Sequence, residues 1–285
     1  MNMITYELSY ATLNSYNPPV RGGHFLFLLL PCESEGQSVH HLELTNSLQE
    51  KTCFLENAFG FTTVFLSTDQ QFGHLELDML CQVRKSESNP FDFINPLSVE
   101  EEYEILRNPS FRVDHRLFLG QTRLTSLPEG LIGSALPPIR ADERVFDYLV
   151  DLNSALHQKM TFQAGFTNAQ TTGREAWEAG KGVCQDYAHI FLGLLRAQGI
   201  PCRYVSGYLN QGESFVGDSQ MHAWVEAKVP GLGWKGFDPS NDLLVDHHYI
   251  KVAHGVDYSD CGPIRGVLHS AKTQETVYRV QVVAQ

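Results

Sequence analysis

Apolar and polar residues alternate at period two through the first third of the chain. Ile4, Tyr6, Leu8 and Tyr10 share one face of an extended segment, and Leu75, Leu77, Met79, Cys81 and Val83 share another. Apolar stretches at 25–30 and 61–66 lie between them, while Pro18, Pro19, Gly22 and Gly23 punctuate what reads as the first two strands. Strands following one another without helical spacing predict an antiparallel, β-sandwich-like domain over residues 1–96.

The pattern then changes. After a polar stretch at 85–96, Ser98 and Glu101 form a capping-box signature for a short helix. A proline- and glycine-bearing segment at 127–138 closes a helical linker region, residues 97–138. The second domain, residues 139–285, opens with helical spacing of Val145, Tyr148, Leu149, Leu152 and Leu156 over 142–158. Thr171 and Thr172 are placed to cap a short helix around Trp177, and a glycine-bearing loop at 180–182 leads into a helix from Cys184 that ends at Gly199 before Pro201. Strands are expected at 203–209, 222–229 and 235–238, and again near 277–283. A helical start followed by antiparallel strands gives an α+β fold class.

Composition narrows the partners. The chain has 285 residues, enough for two domains, and its formal charge of −12 disfavours nucleic acid and anionic membranes. The first residues lack the basic flank and apolar core of a secretory signal, and the apolar run at 25–30 is too short to span a bilayer, so a cytoplasmic protein is expected. Cys32, Cys53, Cys81, Cys184, Cys202 and Cys261 show no CxxC spacing. All but Cys184 read as buried free thiols.

Cys184 carries the candidate chemistry. A thiol attacks well as thiolate, and the first turn of a helix offers unpaired N–H groups and a partial positive charge that favour it. Gly180 and Gly182 leave room for a substrate backbone. His222 opens one strand, and the turn at Pro230, Gly231 and Gly233 sends the chain back to Asp238, so the two come opposite within a residue or two of register. A carboxylate there would orient the imidazole towards the thiol. Other groups are weaker. His40 with His41, and His247 with His248, are adjacent pairs whose side chains would diverge on a strand, so no metal or other cofactor is expected. Asp257, Asp260 and Arg265 fit a loop held by ion pairs, and Trp177 fits a core position better than a cleft wall.

The segments GKGVCQDYAHIFLGLLRAQGIPCRYVSGYL, MHAWVEAKVPGLGWKGFDPSND and HGVDYSDCGPIRG resemble the transglutaminase-like superfamily of cysteine enzymes, specifically its two-domain bacterial branch with an amino-terminal β region. The resemblance implies a papain-like α+β catalytic core, with Cys184 as nucleophile, His222 as general base and acid, and Asp238 orienting His222. Ser240 stands where the family more often has threonine, and a hydroxyl is retained. The expected activity is thiol-dependent acyl transfer at an amide of a peptide or protein substrate. Hydrolysis is favoured because water is abundant; transfer to a primary amine is the alternative. A non-catalytic peptide-binding module is a further alternative, opposed by the intact triad.

Overall fold

The computed structural model describes residues 2–128, 130, 140, 142–210, 221–268 and 273–285. Two long strands, β1 (Met3–Phe27) and β4 (Thr62–Ser86), run antiparallel through the amino-terminal lobe. The period-two pattern is met along β1: Tyr6, Leu8, Tyr10 and Tyr16 are buried on one face, and the parity changes so that Phe25 and Phe27 are buried beyond Gly23. Register shifts between Ser15 and Val20 and between Arg21 and Gly23 produce that change. The Pro18–Pro19 and Gly22–Gly23 pairs therefore bend one strand rather than separate two. A proline costs no ladder hydrogen bond inside such a bulge.

Each half of the β1–β4 pair is flanked by two more strands. β2 (Gln37–Asn46) pairs with one half of β4, and β3 (Cys53–Glu56) with the other. On the β1 side, the flanking strands come from the end of the sequence. The strand expected near 277–283 is β13 (Thr273–Ala284), which pairs with β1 from Tyr6↔Ala284 to Asn17↔Thr273, and β12 (Ile264–Leu268) pairs with the other half. The described residues of this lobe thus form one bent six-stranded sheet. Strand periodicity sets which face is buried but not which strand is the neighbour, so Ile264–Leu268 and Thr273–Ala284 join the first lobe instead of the second.

Helices α1 (Val99–Arg107) and α2 (Pro109–Asp114) connect the lobes. Ser98 and Glu101 make the expected reciprocal cap, with Ser98 N–H donating to Glu101 at 2.7 Å. Glu102 is fully buried and accepts from Arg144 at 2.7 Å and from the Val145 N–H at 2.8 Å. It thereby caps α3 (Val145–Lys159), whose own N-cap, Arg144, offers no acceptor. Most of the linker at 127–138 lies outside the described residues.

The second lobe sets α4 (Gly173–Ala179) and α5 (Cys184–Ala197) beside an antiparallel sheet ordered β10 (Leu243–Leu244), β9 (Gly233–Asp238), β8 (His222–Val229), β7 (Cys202–Leu209) and β11 (Tyr249–Gly255). A short parallel pair, β5 (Thr161–Phe162) and β6 (Lys181–Gly182), precedes α5. α5 buries Ile190, Phe191 and Leu194 as it packs on β7 and β8. At Gly193 it lies so close to the preceding loop that an added Cβ would sit 2.2 Å from the Thr125 carbonyl.

The two sheets share a core. Tyr208 Oη donates to the Leu29 carbonyl at 2.7 Å, and Gln37 donates to the Lys251 carbonyl while accepting from the Lys251 N–H. Inside the second sheet, half-buried Glu226 is held by Lys251 at 2.7 Å and Arg203 at 2.5 Å. Burial alone would raise its pKa, but the two cations outweigh this and lower it to about 2. No helix among the described residues is long and apolar enough to cross a membrane.

Candidate active site

Cys184 is the first residue of α5 and is half-buried, whereas His222 and Asp238 are buried. The helix start is fixed from within. Asp186 accepts the Val183 N–H at 2.7 Å and the Thr167 hydroxyl at 2.6 Å. Gly182 is required for the same reason, because an added Cβ would lie 2.6 Å from the Asp186 side chain. Its small size therefore serves the Asp186 packing, a cause that the sequence reading assigned to substrate approach. Gly180 ends α4 in the left-handed region, at φ 66°. The first two N–H groups of α5, those of Cys184 and Gln185, have no carbonyl acceptor within a helix.

His222 and Asp238 lie diagonally across the β8–β9 ladder. The registered pair Val225↔Phe237 puts Asp238 level with Trp224, two residues from His222 and on the same face. His222 Nε2 donates to Asp238 Oδ2 at 2.7 Å. Its other nitrogen, Nδ1, has no hydrogen-bond partner among the described residues, and the imidazole sits beside the Cys184 thiol. Burial opposes charge on this ring, but the Asp238 carboxylate and its hydrogen bond, with a contribution from Cys184, outweigh it and raise the His222 pKa to about 10.

Asp238 is saturated with donors. Besides His222 it accepts from Ser240 Oγ at 2.7 Å, Asn241 Nδ2 at 2.9 Å and Tyr249 Oη at 2.9 Å. Burial works to raise its pKa, while the imidazole and these hydrogen bonds lower it on balance. The hydroxyl retained at Ser240 therefore has a partner. Tyr249 and Asn241 were not singled out from sequence. Asn241 lies three residues past Asp238, a spacing typical of a carboxylate-capped turn, whereas Tyr249 arrives from a strand that pairs with β7 and has no local signal.

Three tyrosines respond to charge on the thiol. Burial is the main cause that raises the pKa values of Tyr204, Tyr258 and Tyr278, and charge on Cys184 adds to it in each case. Tyr278 belongs to β13.

The other candidate groups fall elsewhere. Asp257 caps the short helix α6 (Tyr258–Cys261) by accepting the Ser259 N–H at 2.8 Å, and Asp260 accepts the Val256 N–H at 2.8 Å. The loop is thus held by carboxylate-to-backbone bonds rather than by the expected ion pairs, and Arg265 lies on β12. Trp177 packs partly buried against the core. Cys53 is exposed and Cys32 half-buried, whereas Cys81, Cys202 and Cys261 are buried as expected. His247 and His248 occupy a turn, not a strand, so their rings lie side by side with centroids 4.1 Å apart. With Asp246 they bring three ligand-type atoms within 4.8 Å of one another, although Asp246 already accepts His248 Nδ1 at 3.0 Å.

A thiol at the start of a long helix beside a buried His–Asp pair on an antiparallel sheet is the arrangement of a transglutaminase-like core. Residues 126–239 match the family model of the transglutaminase-like superfamily, so this part of the chain is a transglutaminase-like core. An uncharacterized protein of Mycobacterium tuberculosis is 35% identical over 157 residues, covering 52% of this chain and 50% of that one. A protein-glutamine gamma-glutamyltransferase of Pseudomonas aeruginosa is 35% identical over 108 residues, 36% of this chain and 16% of that protein. The chain spans about half the length of the first curated relatives it matches. A crystal structure of a candidate cysteine protease from Cytophaga hutchinsonii superposes with a TM-score of 0.79 at 18% identity, covering 100% of this chain and 91% of that one. That likeness concerns the fold.

Proposed function

We propose that the protein is a thiol-dependent hydrolase of peptide or amide bonds, with Cys184, His222 and Asp238 as its triad. The observation that carries this reading is the buried His222–Asp238 bond of 2.7 Å beside the half-buried thiol. A charged imidazole held by a carboxylate stabilises negative charge on the neighbouring sulfur and keeps a proton ready for the leaving group.

In the first half-reaction, the Cys184 sulfur bonds to the substrate carbonyl carbon. The Cys184 and Gln185 N–H groups are placed to hold the oxygen as it becomes negative. The C–N bond then breaks, His222 gives its proton to the departing amine, and a thioester remains. In the second half-reaction, neutral His222 takes a proton from water, whose oxygen bonds to the acyl carbon. The C–S bond breaks, which restores thiolate and imidazolium. Asp238 keeps Nε2 protonated throughout, so that Nδ1 faces the chemistry.

A primary amine in place of water would give amide transfer. The similarity to a protein-glutamine gamma-glutamyltransferase favours this second reading. One experiment separates them: incubate the protein and its Cys184→Ala variant with a peptide library, with and without a labelled primary amine, and follow product masses. Cleavage or deamidation lost in Cys184→Ala supports hydrolysis, and amine incorporation supports transfer. Turnover retained in the variant overturns both.

A further inference from the structure

The two oxygens of Asp238 are loaded differently. Oδ1 serves the local turn, accepting the Ser240 hydroxyl at 2.7 Å and the N–H groups of Ser240 at 3.1 Å and Asn241 at 3.3 Å. Oδ2 is the oxygen that holds the imidazole: it accepts His222 Nε2 at 2.7 Å, and also Asn241 Nδ2 at 2.9 Å and Tyr249 Oη at 2.9 Å. Three donors thus meet an oxygen with about two lone-pair sites, so each one draws on charge that the others use.

Asn241 is there because the chain turns, but Tyr249 comes from β11, three places from β9 in the order of the sheet. Its ring is fully buried with Val205, Leu209 and Trp224, meeting Trp224 edge-on at 5.3 Å between centroids and lying 6.2 Å from the His222 ring. A phenylalanine would fill that apolar space equally well, and a buried hydroxyl is costly unless it bonds. The hydroxyl therefore has its use at Asp238. Burial and the neighbouring carboxylate both push the Tyr249 pKa up, so Oη stays protonated and can only donate to Oδ2.

We propose that Tyr249 is a positioning residue of the triad: by sharing Asp238 Oδ2 with His222, its hydroxyl limits how far the carboxylate stabilises the imidazolium and keeps the Nδ1 proton transferable to the leaving group. The proposal rests on the thiol chemistry assigned above. An acid that holds its proton too firmly delivers it slowly, and a buried carboxylate with fewer donors would concentrate its charge on the imidazole. Facing His222 are Asp238 from β9, Cys184 from α5 and Tyr249 from β11, so a change confined to the Tyr249 hydroxyl leaves the other two groups in place.

The test is an NMR titration of the His222 ring carbons in the unaltered protein, in Tyr249→Phe and in Tyr249→3-fluorotyrosine, with Tm measured on each. Tyr249→Phe removes the donor and keeps the packing, so the His222 midpoint, about 10 in the unaltered protein, is expected to rise by about half a unit or more, the effect of one hydrogen bond. Fluorination makes the hydroxyl a stronger donor and should lower the midpoint. Shifts of opposite sign support the proposal. Any other pattern overturns it, including a lower Tm with an unmoved midpoint, which is the mark of a purely structural tyrosine. Should Tyr249→Phe fail to fold, the direction of the shift in Tyr249→3-fluorotyrosine decides alone. Alkylation of the unaltered protein by chloroacetamide tests the thiol reading separately. Preferential labelling of Cys184 leaves that reading standing whatever the titrations give, and equal labelling of exposed cysteines counts against it.

Discussion

Replacing Asp238 by asparagine should convert the His222 ring from charged to neutral at pH 7. In the native site, burial lowers the imidazole pKa while Asp238, by charge and by its hydrogen bond, supplies the largest opposing effect; the balance is about 10. In Asp238→Asn the charge is gone and burial faces only the weaker influence of Cys184, so the pKa should fall below the ordinary 6.5. The linkage has two sides. A raised His222 pKa gives stability that is complete below about 6.5 and lost as pH rises through about 10, and the lowered Asp238 pKa gives stability that is lost as pH falls below the ordinary carboxylate range. The substitution should therefore cost most between pH 5 and 7. Breaking a buried ion pair typically costs about 3 to 5 kcal/mol, a fall in Tm on the order of 10 °C for a chain of this size. NMR titration of the His222 ring carbons and urea unfolding at pH 6 and pH 10 make the two measurements. An unchanged imidazole titration, or equal destabilisation at both pH values, would refute the assignment.

Cysteine reactivity should split by burial. With limiting iodoacetamide at pH 6, Cys184 is expected to label first and exposed Cys53 next, while Cys81 and Cys202, whose pKa values burial raises to about 12 and about 11, stay protected; peptide mass mapping reads the order. Acid should also destabilise the core through neutral histidines. Burial lowers the His189 pKa to about 4 and that of His254 to about 3, so the unfolded chain takes up protons below about 6.5 that the native state refuses. His189 alone accounts for roughly 3 kcal/mol lost between pH 6.5 and 4. Urea unfolding at pH 7 and 4.5 should show this fall, with a shallower one in His189→Gln; a flat profile would contradict it.

Residues whose partners lie nearby in sequence were legible. The Ser98–Glu101 cap, the start of α5 at Cys184 and the approach of His222 to Asp238 across a short turn each depend on local spacing. Misreadings arose where a distant element decides. Pro18 and Gly22 look like strand breaks, yet β4 continues alongside and turns them into a bend. Gly182 reads as a gap for substrate until the Asp186 side chain fills the space. Tyr249 joins the site from a strand whose register is set by a partner far along the chain, which periodicity cannot name.

The pairing of β1 with β13 also constrains the order in which the protein can form. Tyr6 waits for Ala284, so during synthesis β1 presents a long unsatisfied edge until Thr273–Ala284 has emerged. Closing so wide a loop makes completion of the first sheet a late, slow step that favours early unwanted pairing at the same edge. Until that closure occurs, β1 from Tyr6 to Asn17 is paired on one side only, with β4. A chain that stopped before β13 would then hold its cysteine, histidine and aspartate beside a first sheet that is still incomplete.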